Sequence, residues 1–283
     1  MTHSPTAKLP IGIAVLSWRS PETIRNSLGT YIQNDFLTLF EDVVLCFQEI
    51  SGQDRALARE LGIRHVGKER NEGIMAGFRF AYESLKTDYI IVLENDCLLR
   101  EDRATAHQRL SECLELLQSR QADLARVRSR YHPGPPIRAA SEYSRFYPIE
   151  EQAQGWAGSE ELSASSPLVR RLRRLARPLK ARKWIGRSVY IEEHPDLKHP
   201  KYIRRIGDTF VVDSSVLPWT NQPTLVSRAL LGELLDFADA HPSSRTVNGF
   251  QDFEKSLNCA HWKNQHYRIA VSLGIFSHQR LDR

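Results

Sequence analysis

The sequence predicts an α/β protein in which a mostly parallel central sheet is flanked by helices. Three observations predict it. Short apolar runs alternate with longer helical patterns from residue 11 onward. One run, residues 89–93, is apolar throughout and ends at acids, as a buried parallel strand should. With 283 residues, 41% of them hydrophobic, the chain can bury a substantial core.

In chain order, residues 11–16 (IGIAVL) read as the first strand. Ser20, Pro21 and Glu22 then supply an N-cap, a proline for the first turn and an early acid, predicting a helix to about residue 34. Residues 43–47 read as a strand, 53–61 as a helix, 63–66 as a third short strand and 74–85 as a helix. The run YIIVL at 89–93 predicts a buried central strand, and Glu94, Asn95 and Asp96 follow it. Ligands of open α/β sheets sit beyond the carboxyl ends of the strands, so these acids stand where a site belongs. Residues 104–118 predict a helix and 124–127 a returning strand.

Pro133, Gly134, Pro135, Pro136 and Pro148 mark a loop-rich stretch. Leu168, Leu172, Leu175 and Leu179 then recur at helical spacing with arginines between them, and Pro178 is predicted to break that helix. Residues 209–212 and 217–219 read as strands; Ser227 caps a helix with Leu230, Leu231, Leu234 and Leu235 on one face. There is no internal repeat.

The net charge of +5 belongs to one segment. Residues 162–191 hold nine Lys or Arg and no acid, leaving 30 basic against 34 acidic residues elsewhere. Four cysteines without a CxxC pair predict reduced thiols and a cytoplasmic protein. The first ten residues lack a signal-type apolar stretch, and no run approaches the roughly 20 apolar residues of a membrane helix. The composition fits neither a disordered nor a fibrous chain.

Glu94-Asn95-Asp96 carries the first chemistry, because a hard cation bridging a diphosphate needs carboxylate oxygens on a rigid edge. The surrounding residues resemble the nucleotide-sugar-binding half of GT-A fold glycosyltransferases, especially the family 2-like enzymes. Ser17-Trp18-Arg19-Ser20-Pro21-Glu22-Thr23 resembles their first strand and helix entry. Asn71-Glu72-Gly73-Ile74-Met75-Ala76-Gly77 resembles their Asn-x-Gly turn, and YIIVLENDCL at 89–98 resembles the strand ending in their DxD motif.

The resemblance implies that Asp96 binds a manganese or magnesium ion, that Glu94 lies near the ribose or reaches the metal through water, and that Ser277-His278 supplies a late histidine ligand. It places Ser17, Trp18, Arg19, Glu49, Asn71, Gly73, Glu94 and Asn95 around a UDP- or GDP-linked donor. It places Trp219, Asn221 and Gln222 on the acceptor side and Asp252 at the catalytic base position, with Glu254 as the alternate. Two positions depart from the pattern: Glu94 replaces the first Asp of DxD, and Glu49 stands in QEIS rather than in a DDGS-like turn.

The expected organisation is one GT-A domain with a donor half at 8–130 and an acceptor half at 131–283. The implied activity is metal-dependent, inverting transfer of a sugar from a nucleotide carrier to a hydroxyl of a saccharide or glycolipid, as in bacterial surface polysaccharide assembly. The basic segment, with leucines opposite arginines, suits peripheral contact with an anionic membrane or a lipid-linked acceptor. A nucleotidyltransferase would carry a Gly-rich loop after the first strand, and LSWRSPET has no glycine. A nucleic-acid partner is not expected, since Trp184 and Tyr190 are the only aromatics within the basic segment. A sugar-binding relative without turnover is the other alternative.

Overall fold

The computed structural model describes residues 8–134, 140–151 and 162–281. Pro135 and Pro136 of the expected loop lie outside them. The first half runs β1 (Leu9–Ser17), α1 (Pro21–Gln33), β2 (Phe40–Phe47), α2 (Gly52–Glu60), β3 (His65–Gly67), α3 (Gly73–Ser84), β4 (Tyr89–Glu94), β5 (Cys97–Leu99), α4 (Arg103–Gln118) and β6 (Leu124–Arg128). The second half runs α5 (Ala140–Ser144), α6 (Pro167–Ala176), α7 (Pro178–Arg187), α8 (Pro195–Lys198), β7 (Ile203–Ile206), β8 (Thr209–Asp213), β9 (Thr224–Ser227), α9 (Arg228–Ala240), β10 (Thr246–Val247), β11 (Phe250–Gln251), α10 (Phe253–Leu257), α11 (Ala260–Asn264) and β12 (Arg268–His278).

Ten strands form one sheet in the order β3-β2-β1-β4-β9-β6-β12-β8-β7, with β5 paired to β12. Pairing is parallel from β3 to β4, as expected. Beyond β4 it becomes mixed: β9 runs antiparallel to both β4 and β6, and β12 is parallel to β6 but antiparallel to β8. One sheet therefore crosses the boundary drawn at residue 130.

Alternation along the central strands builds both faces of the core. Ile13, Val15, Ile91 and Leu93 pack with Leu28 of α1 and Leu110 of α4. Their neighbours Ala14, Leu16, Ile90 and Val92 pack on the other face with Phe78 of α3 and Leu234 of α9. Such two-sided burial explains why these strands read as unbroken apolar runs.

Two local expectations are corrected. Ser20 stands at the N-cap position of α1, but its hydroxyl donates to the Trp18 carbonyl at 3.1 Å and makes no side-chain cap. Residues 217–219 are not a strand, because side chains take their carbonyls: Trp262 Nε1 donates to Leu217 O at 3.0 Å, Arg126 to Pro218 O, and Asn258 Nδ2 to Trp219 O at 3.0 Å. Helix α6 breaks before Pro178 as expected, and the leucines of α6 and the start of α7 face outward. Leu168, Leu172, Leu175 and Leu179 are 66, 56, 70 and 72% exposed. Arg170 and Arg174 instead turn inward, donating to the Ser144 and Phe146 carbonyls at 3.1 and 2.7 Å.

Candidate active site

Strand register assembles the site. Leu16 pairs with Glu94 and Ser17 with Phe47, so β1, β2 and β4 end level with one another at their carboxyl ends. A cleft of about 310 Å³ opens there. Its walls include Ser17 and Trp18 at the end of β1, Gln48 after β2, and Glu94, Asn95 and Asp96 at the end of β4. Asn71 and Gly73 at the start of α3, Asn221 before β9, and Asp252 before α10 complete the predicted set that reaches it.

Local devices hold several of these residues. Asn71 Oδ1 accepts from Gly73 N at 2.9 Å, closing the turn into α3. Gly73 has φ 89°, and a Cβ there would lie 2.3 Å from Phe250 Cβ, so both the turn and its neighbour require glycine. Asn95 Nδ2 donates to Ser17 Oγ at 3.3 Å, tying the ends of β1 and β4. Asp252 caps α10, accepting from Glu254 N at 2.9 Å.

The acids crowd. Glu94 is half-buried, and desolvation together with the charges of Asp96 and Glu254 pushes its carboxyl up to about 8, against the pull of Arg280. Asp96 is buried, and His278 Nε2 stands 2.9 Å from its Oδ2. This pair forms because β5 turns back antiparallel to β12, setting His278 opposite Cys97.

An anionic carboxylate beside an imidazole is a donor pair that a divalent cation accepts. The expected set of three ligands is not assembled: among the described residues no group of three or more His, Cys, Asp or Glu side chains is arranged to hold a metal. Glu94 shares the cleft without joining the pair. Phosphate oxygens and water commonly complete the shell of Mg²⁺, so Asp96 and His278 fit a metal carried in with a diphosphate.

Other predicted residues sit elsewhere. Arg19 and Glu49 do not line the cleft; Glu49 accepts from Trp18 Nε1 at 2.9 Å and pairs with Arg19. The Trp18 hydrogen bond first, then Arg19, holds the Glu49 carboxyl below its ordinary value. Glu49 thus anchors the Trp18 ring at the rim. Trp219 is 3% exposed, with its ring packed by Phe253 and Trp262 at centroid distances of 5.2 and 5.7 Å, so it is a core residue and no open stacking face. Gln222 lies outside the cleft, with its Oε1 buried. Glu254 stands beside the cleft, its Oε1 accepting from Thr220 Oγ1 at 2.9 Å and Asn221 N at 2.7 Å.

Sequence reasoning missed Gln48, which is buried, lines the cleft and accepts from Glu72 N at 3.2 Å. It also missed the β10–β11 hairpin, whose Val247, Asn248 and Phe250 border the cleft. The signal was present: Asn248-Gly249, with φ 51° and 81°, is the dipeptide that two-residue hairpin turns prefer.

No family model and no curated protein matches the chain. Solved structures do. S. aureus TarS, residues 1–349, superposes with a TM-score of 0.50 at 14% identity over 96% of this chain and 60% of that one. The same fragment in complex with UDP-GlcNAc gives 0.50 and 14% over 97% of this chain. The chain has the fold of GT-A glycosyltransferases. It spans 60% of the fragment's length and 37% of a longer TarS structure, which also superposes at 0.50.

Proposed function

We propose that the chain is a metal-dependent glycosyltransferase that moves a sugar from a UDP- or GDP-linked donor to an acceptor hydroxyl, with inversion. The observation that carries this reading is the cleft at the level ends of β1, β2 and β4, where Ser17, Asn95 and Asp252 gather beside the Asp96–His278 pair.

In this reading Asp96 and His278 hold a manganese or magnesium ion. The bound ion supplies Lewis-acid stabilisation of the diphosphate leaving group as charge builds on it. Trp18, fixed by Glu49, and Gln48 border the space for the base and ribose. Glu94 lines the same cleft, where its carboxyl can hydrogen-bond ribose hydroxyls. Asp252 faces the cleft and takes the acceptor proton, while Glu254 accepts from the Thr220 hydroxyl and the Asn221 backbone N–H and so holds the acceptor-side wall.

The exposed leucines of α6 and α7 favour peripheral docking on an anionic membrane from the cytoplasmic side, consistent with assembly of a lipid-linked saccharide. Among the described residues no helix is long and apolar enough to cross a membrane.

The test is a thermal-shift panel of nucleoside diphosphates and nucleotide sugars, with and without manganese, on wild type and Asp96→Ala. Metal-dependent stabilisation by one nucleotide, lost in the variant, is the expected result. No shift with any nucleotide in the wild type would leave only the fold.

A further inference from the structure

A second cavity, of about 360 Å³, lies on the other side of the Thr220–Asn221 wall and has the opposite electrostatic character. The donor cleft gathers Glu94, Asp96 and Asp252. The second cavity gathers Arg126 of β6, Arg182, Lys183 and Arg187 of α7, and Lys263 of α11, with Glu254 as its one acid. None of these five cations forms an ion pair among the described residues.

Five cations gathered around a single carboxylate carry an excess of positive charge that is costly where it is desolvated, unless a ligand compensates it. Arg126 is buried, fixed by its hydrogen bond to Pro218 O, and Arg187 is half-buried. Desolvation and the charge of Arg126 both hold the Arg187 guanidinium below its ordinary value. Desolvation and Arg187 do the same to Lys183.

A second, independent observation points to a ligand. Tyr190 is 1% exposed and lines this cavity, and its hydroxyl is buried with no hydrogen-bond partner among the described residues. Buried polar groups of this kind are rare unless a ligand or water satisfies them.

We propose that this cavity binds a phosphomonoester carried by the acceptor, so that the substrate class is a phosphorylated alcohol or saccharide. The assignment of the phosphate to an acceptor rests on the donor-site reading above. A phosphate dianion offers three terminal oxygens, enough for two guanidinium forks, an ammonium and a phenol at once, where a carboxylate offers two. Its position across the Thr220–Asn221 wall from Asp252 would hold the acceptor beside the base while keeping its charge away from the acidic cleft. Leu179 lines the same cavity and is exposed, so the phosphate can belong to a soluble molecule or to a lipid headgroup at a membrane surface.

The experiment measures binding of glycerol 3-phosphate by calorimetry and of phosphatidic acid vesicles by co-sedimentation. It uses wild type, Arg187→Gln, Arg187→Lys and the exposed-site variant Lys183→Gln. Manganese–nucleotide thermal shifts are recorded on the same samples. Glycerol 3-phosphate binding that weakens about tenfold in Arg187→Gln and Lys183→Gln, with partial recovery in Arg187→Lys and unchanged nucleotide shifts, is expected for a soluble acceptor. The same pattern seen only with vesicles upholds the site with a lipid-borne phosphate. Binding of neither probe, equal binding by wild type and both Gln variants, or loss of the nucleotide shift in those variants would overturn the proposal. Cation-dependent phosphate binding without any nucleotide shift in wild type would uphold the anion site and overturn the donor reading instead.

Discussion

His278 Nε2 stands 2.9 Å from Asp96 Oδ2, although the two residues lie far apart in the chain. The antiparallel pairing of β12 with β5 creates that contact, and Gln279 N donating to Asp96 O at 2.8 Å closes the corner. Replacing either residue with alanine removes one of the two proposed metal donors while leaving the sheet intact. The expected outcome is loss of manganese-dependent nucleotide stabilisation and a fall in kcat of about two orders of magnitude or more. Turnover assayed across a manganese titration checks it; full activity in both variants at saturating metal would contradict the assignment.

Asp252 and Glu254 should separate in kinetics. Asp252→Asn removes the proposed base and is expected to lower kcat by about 10²- to 10⁴-fold. Glu254→Gln keeps an oxygen acceptor for Thr220 and Asn221, so the expected loss is about tenfold and falls on acceptor KM. Steady-state assays with varied acceptor distinguish them, and the reverse ranking would move the base to Glu254.

Glu94 makes stability depend on pH. Its carboxyl rises from 4.5 to about 8 on folding, so the folded protein binds more protons than the unfolded chain between those values. The protonated form's stability is fully present below about 4.5 and is lost as pH rises through about 8. Glu94→Gln cannot ionise. It should therefore raise the melting temperature at pH 9 by several degrees over wild type, with little change at pH 5. Calorimetry in chelator at both pH values checks this, and equal shifts at the two would refute it.

Gly73→Ala should be costly for two reasons that act together. The backbone sits at φ 89°, and the new methyl would meet Phe250. A loss of about 1–3 kcal/mol is expected, with the β10–β11 hairpin pushed off the cleft rim. Chemical denaturation measures the first effect, and a raised donor KM reports the second.

The leucines of α6 should matter for docking and not for folding. Leu172 and Leu175 are mostly exposed, so Leu172→Gln combined with Leu175→Gln should change stability by about 0.5 kcal/mol or less. The same pair should abolish co-sedimentation with anionic vesicles. Undiminished vesicle binding by the double variant would exclude this face as the docking surface.

Much of the first half was legible because its physics is local. The strands around Ile13 and Ile91 are buried on both faces and so carry continuous apolar runs. The acids that follow β4 lie in the cleft where the end of a parallel strand puts them. The second half was harder to read. Strand β12 bends at Gly274, with φ 71°, and changes partners along its length, so no single periodicity marks it. Residues 217–219 have strand composition, but Trp262, Arg126 and Asn258 occupy their carbonyls. Trp219 read as an acceptor-side residue because composition does not say which aromatic faces are covered.

By itself the sequence determined the α/β class, the order of its early elements and the acidic edge after β4, because apolar period, caps and turn residues act over a few neighbouring positions. Only the tertiary structure decided that His278 meets Asp96, that Arg170 and Arg174 turn inward while the leucines of α6 face out, and that five cations line one cavity with a tyrosine whose hydroxyl has no hydrogen-bond partner among the described residues. Those relationships join residues distant in the chain, and strand register and helix docking set them, which no short stretch of sequence encodes.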